Sequence, residues 1–407
     1  MKHVVIVAPY MGPTMRQCIA SFCRLDGVCL GIVSHQPEDA IPAAFQSDFQ
    51  GHYQVKNSLN ADELEVAVRA FIEEWGKVDR LIGYLEHQQL QLAEVRSRCG
   101  IPGMKREAAT HFRDKNAMKA VLRDADLPVA RQAKITSLEA AEVFIQDIGY
   151  PIVLKPIAGV GSKNTVRVQN HDDLIAAMNL LFPSEDNPVQ AEEFVQGEEH
   201  TLESVTINGK TIWQSSTYYL PGPLKVIENP WMQYCVLLPK EVHGSHVSDF
   251  LPVNAAALKA LGMETGLSHM EWFLKRDGTP VVSEVGARPP GVNIMPMLSL
   301  AYDLDMWDKW AELMTHDRWE LPPRKYAVGC AFLRAQGRGN TIVDVTGLEE
   351  AQAAVGEWVE QFKLPRKGQS RSSHYEGDGF VIVRHMDTET VVSALRTIIT
   401  KIKVIAG

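Results

Sequence analysis

Residues 269–286 read HMEWFLKRDGTPVVSEVG, in which two apolar runs flank the dipeptide Asp277-Gly278. This dipeptide between alternating runs is a strong signal for a β-hairpin. A two-residue turn at Asp277-Gly278 predicts that Glu271 lies directly opposite Glu284. Because side chains alternate along a strand, the two glutamates are predicted to share one face of the hairpin. That face is predicted to carry His269, Glu271, Phe273, Val282, Glu284 and Gly286.

Two carboxylates that face each other destabilise a strand pair unless a cation lies between them. Magnesium is a hard cation that binds one or two carboxylates together with phosphate oxygens. We therefore predict that Glu271 and Glu284 hold a metal ion against the phosphates of a nucleotide. The alternative is a solvent-facing strand edge on which both glutamates are merely exposed.

A second stretch, residues 151–165 (PIVLKPIAGVGSKNT), ends a predicted strand with Lys155 and then turns through Gly159 and Gly161. Glycines let backbone N–H groups approach an anion closely, and the lysine supplies positive charge. A P-loop would lead into a helix, whereas this loop leads into a predicted strand at 165–168. The pattern favours a hairpin flap over phosphates, and a simple glycine hairpin is the alternative.

Two further features carry charge near these motifs. Residues 189–199 (VQAEEFVQGEE) are predicted to form a strand that ends in an acidic turn. A strand edge can hydrogen-bond an adenine and a carboxylate can accept from ribose hydroxyls, although a solvated acidic turn is the alternative. Arg288 follows Glu284 by four residues and is suited to hold a phosphate or carboxylate with two hydrogen bonds. A surface arginine in a loop is its alternative.

The N-terminal part of the chain alternates predicted strands and helices, which is typical of a parallel sheet with crossover helices. Its first strand–helix turn lacks the Gly-x-Gly-x-x-Gly fingerprint, so we expect no nicotinamide cofactor there. Later, Asn208-Gly209 predicts a second hairpin and residues 219–248 are expected to be irregular. Further elements are predicted at 4–8, 15–23, 28–34, 62–75, 80–84, 114–124, 172–181, 251–261 and 303–314.

The chain has 407 residues and a net charge of −9. A negative chain disfavours nucleic acid as the main partner, because binding to phosphate backbones needs a positive surface. No apolar run approaches the roughly 18 residues of a membrane span. The six cysteines form no Cys-x-x-Cys pair. We therefore expect a cytoplasmic protein with reduced thiols and no nucleic-acid or membrane partner.

Taken in order, five motifs resemble the ATP-grasp superfamily, and within it carboxylate–amine ligases such as the L-amino-acid ligases and D-alanine–D-alanine ligase. The motifs are Asp114-Lys115, Val153–Pro156 with the glycine loop, Glu192–Val195 followed by Gly197 and Glu199, the Glu271 strand, and Glu284-x-x-x-Arg288.

The resemblance implies an α/β protein with the ATP-grasp fold, an N-terminal Rossmann-like parallel-sheet domain and a small C-terminal α/β domain. The implied domains are an N-terminal Rossmann-like (pre-ATP-grasp) domain at 1–110, a small ATP-grasp subdomain with the glycine flap at 111–188, a large subdomain with the metal site at 189–322, and the C-terminal α/β domain at 323–407.

The resemblance also implies a role for each matching residue. Arg288 and Lys155 would be catalytic, and Glu271 and Glu284 would bind Mg²⁺ or Mn²⁺. Lys115 and Lys155 would contact ATP phosphates, and Glu199 would bind the ribose. The remaining ATP contacts would be Gly159, Gly161 and Ser162 in the flap and Glu192, Glu193, Phe194 and Val195 at the adenine hinge.

The chain departs from the family at one position. The family usually has Glu-x-Asn before the arginine, and that asparagine binds metal, whereas this chain has Gly286. The predicted hairpin register puts Gly286 opposite His269. Our hypothesis is that the second metal is held more loosely, with water or His269 in the space that the missing amide leaves.

The resemblance implies an ATP-dependent ligase that joins a small-molecule carboxylate to an amine through an acyl phosphate, releasing ADP and phosphate. Amino acids are candidate substrates, and a homodimer is a candidate assembly. One alternative is a biotin-carboxylase-like carboxylase. The other is a nucleotide-binding regulatory protein without catalysis, which Gly286 alone favours.

Overall fold

A computed structural model describes residues 1–42, 45, 48–157, 164–242 and 245–407. The predicted flap residues Gly159, Gly161 and Ser162 lie outside these ranges.

The N-terminal part forms a four-stranded parallel sheet with the strand order β3-β2-β1-β4. Residues 4–7 of the first strand are apolar and buried, as expected of a parallel strand covered on both faces. The alternation predicted from sequence is confirmed. The elements are β1 Lys2–Val7, α1 Pro13–Cys23, β2 Val28–Ser34, β3 Gly51–Gln54, α2 Ala61–Trp75, β4 Arg80–Ile82, α3 Gln89–Cys99 and α4 Arg106–Arg113.

The next part is an antiparallel sheet of four strands in the order β5-β8-β6-β7. Asp114 caps the first helix by accepting hydrogen bonds from the N–H groups of Asn116 and Ala117 at 2.8 and 3.0 Å. The elements are α5 Lys115–Asp124, β5 Gln132–Ile135, α6 Leu138–Ile148, β6 Ile152–Pro156, β7 Val166–Val168, α7 His171–Leu181 and β8 Val189–Glu193.

The remainder of the chain is built on an eight-stranded antiparallel sheet. Its strand order is β13-β12-β9-β10-β11-β14-β17-β16, and β15 pairs with β18 separately. The elements are β9 Gly197–Ile207, β10 Lys210–Leu220, α8 Pro223–Glu228, β11 Tyr234–Leu238, α9 Ser245–Leu261, β12 Gly266–Lys275, β13 Pro280–Gly286, α10 Ile294–Tyr302, α11 Met306–His316, β14 Ala327–Leu333, β15 Ile342–Thr346, α12 Leu348–Val355, β16 Val359–Lys363, β17 Gly379–His385, α13 Thr388–Lys401 and β18 Lys403–Ala406.

The hairpin at Asn208-Gly209 is confirmed. Both turn residues have positive φ angles, 52° and 76°, which is the requirement of a type I′ turn. The prediction of irregular structure at 219–248 is wrong, because this stretch contains α8 and β11. β11 is a short, fully buried apolar run between two other strands, so it shows no alternation that would reveal it.

The hairpin of β12 and β13 keeps the predicted pairing of Glu271 with Glu284, but its turn is different. Lys275 and Thr279 close a three-residue loop, since the Lys275 N–H donates to the Thr279 carbonyl at 3.0 Å. A bulge at Ser283 then shifts the register by one residue and restores the glutamate pair.

The bulge also changes which side chains share a face. Val282 does not lie beside Glu284 as predicted, because it pairs with Trp272 and both belong to the hydrophobic core. Trp272 stacks on Phe250 of α9 with ring centroids 4.0 Å apart. Glu271 therefore projects from the other face of a strand that this buried tryptophan anchors.

Two strand pairings bear on the domain boundaries. β8 lies between β5 and β6, so we propose that the small subdomain extends through Glu193 rather than ending at 188. β14 pairs with β11, so one sheet is shared by the proposed large subdomain and C-terminal domain. Among the helices of the described part, none is long and apolar enough to cross a membrane.

Candidate active site

A cleft of about 1070 Å³ lies between the four-stranded antiparallel sheet and the eight-stranded sheet. Every predicted site residue within the described part lines it: Lys115, Lys155, Glu192, Glu193, Phe194, Val195, Glu199, Glu271, Glu284 and Arg288. Lining residues that the sequence prediction did not name include Glu86, Lys119, Tyr375 and Glu376. Tyr219 lines the cleft as well, and so does His269, which our hypothesis placed only near a second metal.

The two opposed glutamates are each held by a cationic side chain. The Lys115 ammonium lies 2.6 Å from the Glu284 carboxylate. Glu271 lies near His269 and accepts a long hydrogen bond from the Tyr219 hydroxyl at 3.4 Å. Burial alone would raise the pKa of Glu271, but His269 and the lysines outweigh it and lower that pKa. Glu271 is therefore an anion at neutral pH, as a metal ligand must be.

Two lysines converge on Glu192 in the middle of the cleft. Lys119 and Lys155 each place Nζ within 2.9 Å of the same carboxylate oxygen, at 2.7 and 2.9 Å. Burial would raise the pKa of Glu192, yet the two lysines lower it to about 2. The Glu192 side chain is thus an internal counter-ion of the lysines, in addition to its predicted place at the adenine hinge.

Burial and nearby charges shift the pKa values of Lys119 and Lys155 in opposite directions. Lys119 has no exposed surface, and burial lowers its pKa to about 8 despite the attraction of Glu192. Burial acts the same way on Lys155, but Glu192, Glu284 and Glu271 together raise its pKa. Lys119 lies one helical turn after Lys115 on α5, so the spacing of four residues could have revealed it.

The hinge segment after β8 is held by neighbouring groups. Glu193 pairs with Arg131 at 2.8 Å, and the Phe194 N–H donates to the Pro151 carbonyl at 3.3 Å. That bond occupies one of the backbone groups predicted to contact adenine.

Beyond the hinge, burial and the charge of Glu271 raise the pKa of Glu199 to about 8. A protonated Glu199 carboxyl can both donate to and accept from a ribose hydroxyl.

Arg288 is fixed by Glu86, which follows β4 in the N-terminal sheet. A single oxygen of Glu86 accepts from Arg288 Nε at 2.9 Å and contacts a terminal nitrogen at 2.8 Å. The other oxygen binds Arg113. Burial would raise the pKa of Glu86, but the two arginines lower it. The signal available in the sequence was a polar residue just after the carboxyl end of a parallel strand.

The C-terminal part contributes a turn that reaches the cleft. Asp378 closes this turn by accepting from the Ser372 N–H at 2.6 Å, and it ties the turn to the segment after β14 by accepting from the Ala335 N–H at 3.0 Å. Tyr375 and Glu376 at its tip line the cleft. These residues were missed because nothing in the local sequence links them to the glutamate hairpin.

The donor set fits a magnesium ion. Glu271 and Glu284 are opposed carboxylates, and Glu284 already binds one cation, the Lys115 ammonium. Within the described ranges no three acidic, histidine or cysteine side chains converge as a complete metal cage. Phosphate oxygens and water would have to complete the coordination sphere, which is how magnesium is usually bound beside nucleotides.

Comparisons with known proteins bear on the fold. The model of the phosphoribosylglycinamide synthetase ATP-grasp (A) domain matches residues 113–217. The structure of an L-amino acid ligase from Bacillus licheniformis superposes with a TM-score of 0.77 over 100% of this chain and 99% of that chain, at 20% identity. This chain has the ATP-grasp fold.

Two further proteins extend the comparison. It is 22% identical to the L-arginine-specific L-amino acid ligase of Bacillus subtilis over 286 residues, which are 69% of this chain and 68% of that one. A biotin carboxylase domain from Hydrogenobacter thermophilus, solved with MgADP and bicarbonate, gives a TM-score of 0.66 at 16% identity, covering 99% and 90% of the chains. The chain spans about half or less of the next curated relatives.

Proposed function

We propose that this chain is an ATP-dependent carboxylate–amine ligase that forms an amide or peptide bond through an acyl phosphate. The observation that carries the proposal is the pairing of Glu271 with Glu284 in a cleft that also contains Lys115, Lys155 and Arg288. The L-amino acid ligases to which the chain is similar support the same reaction class.

The proposed reaction has two balanced steps. An oxygen of the substrate carboxylate attacks the γ-phosphorus of ATP, and the bond to the bridging oxygen breaks, so that ADP leaves with its electron pair. The amine nitrogen then attacks the acyl carbon and loses a proton, while phosphate leaves with the former carboxylate oxygen. The nucleophiles are substrate groups, so no nucleophilic side chain is needed.

The chain's own residues would act by positioning and by charge. Lys115 and Lys155 would hold the ATP phosphates, and Arg288 would stabilise the transferred phosphoryl group and the acyl phosphate. A magnesium ion held by Glu271 and Glu284 would offset charge on the phosphate oxygens. Glu199 would bind the ribose, and Glu192, Glu193, Phe194 and Val195 would surround the adenine.

The two alternatives make different predictions. A biotin-carboxylase-like enzyme would use bicarbonate as the phosphoryl acceptor, and the biotin carboxylase domain superposes less well than the L-amino acid ligase, with TM-scores of 0.66 and 0.77. A regulatory protein would bind nucleotide without turnover. The retained pair of glutamates and the Arg288–Glu86 contact count against a chain that has lost its catalytic groups.

We further propose amino acids as substrates, magnesium or manganese as the working ion, and a homodimer as the assembly. Nucleic acid and membranes are not proposed as partners. The six cysteines are free thiols, which fits a location in the reducing cytoplasm.

The test is an ADP-release screen over pairs of amino acids in the presence of magnesium. The proposal predicts ADP release that needs both a carboxylate and an amine, and a loss of about 100-fold or more in Glu284→Gln, as for removal of a transition-state contact. Release with bicarbonate alone would indicate a carboxylase. Nucleotide binding without release under any pair would indicate a regulatory protein.

A further inference from the structure

A buried carboxylate lies near the glutamate pair, on the same face of the eight-stranded sheet. Glu203 on β9 has no exposed surface. One of its oxygens accepts from the Thr201 hydroxyl at 3.0 Å and contacts His269 Nδ1 at 2.9 Å, and the other accepts from the Thr217 hydroxyl at 2.8 Å. A buried charge is costly unless it is paired and hydrogen-bonded. Three partners therefore hold this carboxylate in a single orientation.

The sheet fixes the positions of these groups. Glu203 lies directly opposite His269 of β12 on one side and opposite Ser215 of β10 on the other. His269 is itself only 7% exposed. Because both side chains emerge from paired central strands, the imidazole ring is held with Nδ1 towards Glu203 and Nε2 on its other side.

The other side of the ring faces the proposed metal ligand. His269 Nε2 is 3.8 Å from the nearest oxygen of Glu271 and 3.5 Å from the Tyr219 hydroxyl. The Tyr219 hydroxyl is in turn 3.4 Å from the same Glu271 oxygen. One oxygen of Glu271 thus lies near both a histidine and a tyrosine, while Glu271 pairs with Glu284 of β13.

The residue opposite His269 adds nothing to this arrangement. Gly286 pairs with His269, and a Cβ atom built there would meet nothing closer than Arg288 Cγ at 3.6 Å. No side chain at position 286 therefore orients or supplements the glutamates. Our hypothesis that water or His269 occupies the space left by the missing amide stays a prediction, and His269 Nδ1 is engaged with Glu203 on the neighbouring strand.

We propose that Glu203 and His269 are positioning residues of the metal site. The buried Glu203 carboxylate fixes the imidazole of His269, and this imidazole, together with Tyr219, holds Glu271 towards Glu284. The inference rests on the proposed function, because it assumes a divalent ion at Glu271 and Glu284. Groups that orient a metal ligand typically contribute 10- to 100-fold to metal affinity. In this chain that support would come from β9, β10 and β12 on the same face of the sheet rather than from a residue at 286.

The test is Mn²⁺ binding in the presence of ADP, measured by the loss of the free-ion electron paramagnetic resonance signal, which does not require turnover. His269→Asn keeps an amide near Nδ1 for Glu203 but removes the group that faces Glu271. His269→Gln places an amide near Nε2. We expect the Mn²⁺ dissociation constant to rise about 10-fold or more in His269→Asn. In His269→Gln it should return most of the way to the wild-type value.

A matched control is His200→Asn, since His200 is equally buried on β9 and contacts the Trp272 ring at 4.9 Å between centroids. We expect its Mn²⁺ affinity to equal that of the wild type. If His269→Asn does not fold, Glu203→Gln is measured instead. Its dissociation constant should rise about 3-fold or more, because a hydrogen bond to a neutral acceptor is roughly half as strong.

The outcomes separate the two proposals. Failure of the wild type to bind Mn²⁺ with ADP would overturn the proposed metal site itself. Wild-type binding with unchanged affinity in a folded His269→Asn, or in Glu203→Gln, would overturn the positioning role alone. A lower melting temperature in His269→Asn without a change in Mn²⁺ affinity would show that the pair serves only stability.

Discussion

Replacing Glu86 by glutamine tests how the N-terminal sheet supports the site. Glu86 is 9% exposed and its carboxylate contacts two arginines, through three nitrogen atoms in all. Glutamine has the same size, but it removes the charge that both guanidinium groups face. Hydrogen bonds between charged groups contribute about 1.5–3 kcal/mol each, and neutral ones about 1 kcal/mol.

Three weakened contacts would cost about 3 kcal/mol in the free energy of unfolding, which is also the range for breaking a buried ion pair. Arg288 would lose the partner that aligns its Nε edge, so we expect the rate of ADP release to fall about 10- to 100-fold, less than for complete loss of a transition-state contact. Urea unfolding measures the first quantity, and steady-state ADP release measures the second.

Glu94→Gln is the matched control, because Glu94 also binds two arginines, Arg98 and Arg106, but at the surface. Exposed ion pairs contribute about 0–1 kcal/mol, so its stability and activity should stay near those of the wild type. The reasoning about Glu86 is refuted if Glu86→Gln behaves like Glu94→Gln in both assays.

Two other predictions concern single charges and the missing ligand. In the folded chain the pKa of Glu192 is lowered from 4.5 to about 2. The stability that Glu192 contributes is therefore present above its pKa in the unfolded chain and is lost as the pH falls towards its pKa in the folded chain. Between about pH 5 and about pH 3, the free energy of unfolding measured with urea should fall by about 2 kcal/mol more in the wild type than in Glu192→Gln. An equal fall in both proteins would contradict the ion-pair assignment. Gly286→Asn should lower the magnesium concentration that gives half-maximal ADP release, since the site has room for a side chain. An unchanged magnesium dependence would reject the idea of a weakened second metal.

The glutamate pair was predictable from sequence, although through two errors that cancelled. The loop has three residues rather than two, and the bulge at Ser283 restores the register that a two-residue turn would have given. Turn dipeptides indicate where a hairpin bends, but a bulge depends on packing of the flanking strands, here of Trp272 against Val282. The predicted face was wrong at Val282 for the same reason.

The supporting residues were not predictable because their partners are distant along the chain. Glu86 meets Arg288 across 202 positions, and Glu203 meets His269 across 66. A sequence pattern indicates which residues share a strand face, but it does not indicate which strands become neighbours in a sheet. Lys119 is the exception, since its spacing from Lys115 places both on one side of α5.

The central claim is that a substrate carboxylate is phosphorylated by ATP. The most direct measurement uses the amino-acid pair with the highest ADP release, with the carboxylate oxygens of the acyl donor labelled with oxygen-18, and analyses the released phosphate by mass spectrometry. We predict that each phosphate carries one labelled oxygen, because the acyl phosphate breaks between the acyl carbon and that oxygen. Phosphate without label, released at the same rate as ADP, would contradict the acyl-phosphate mechanism.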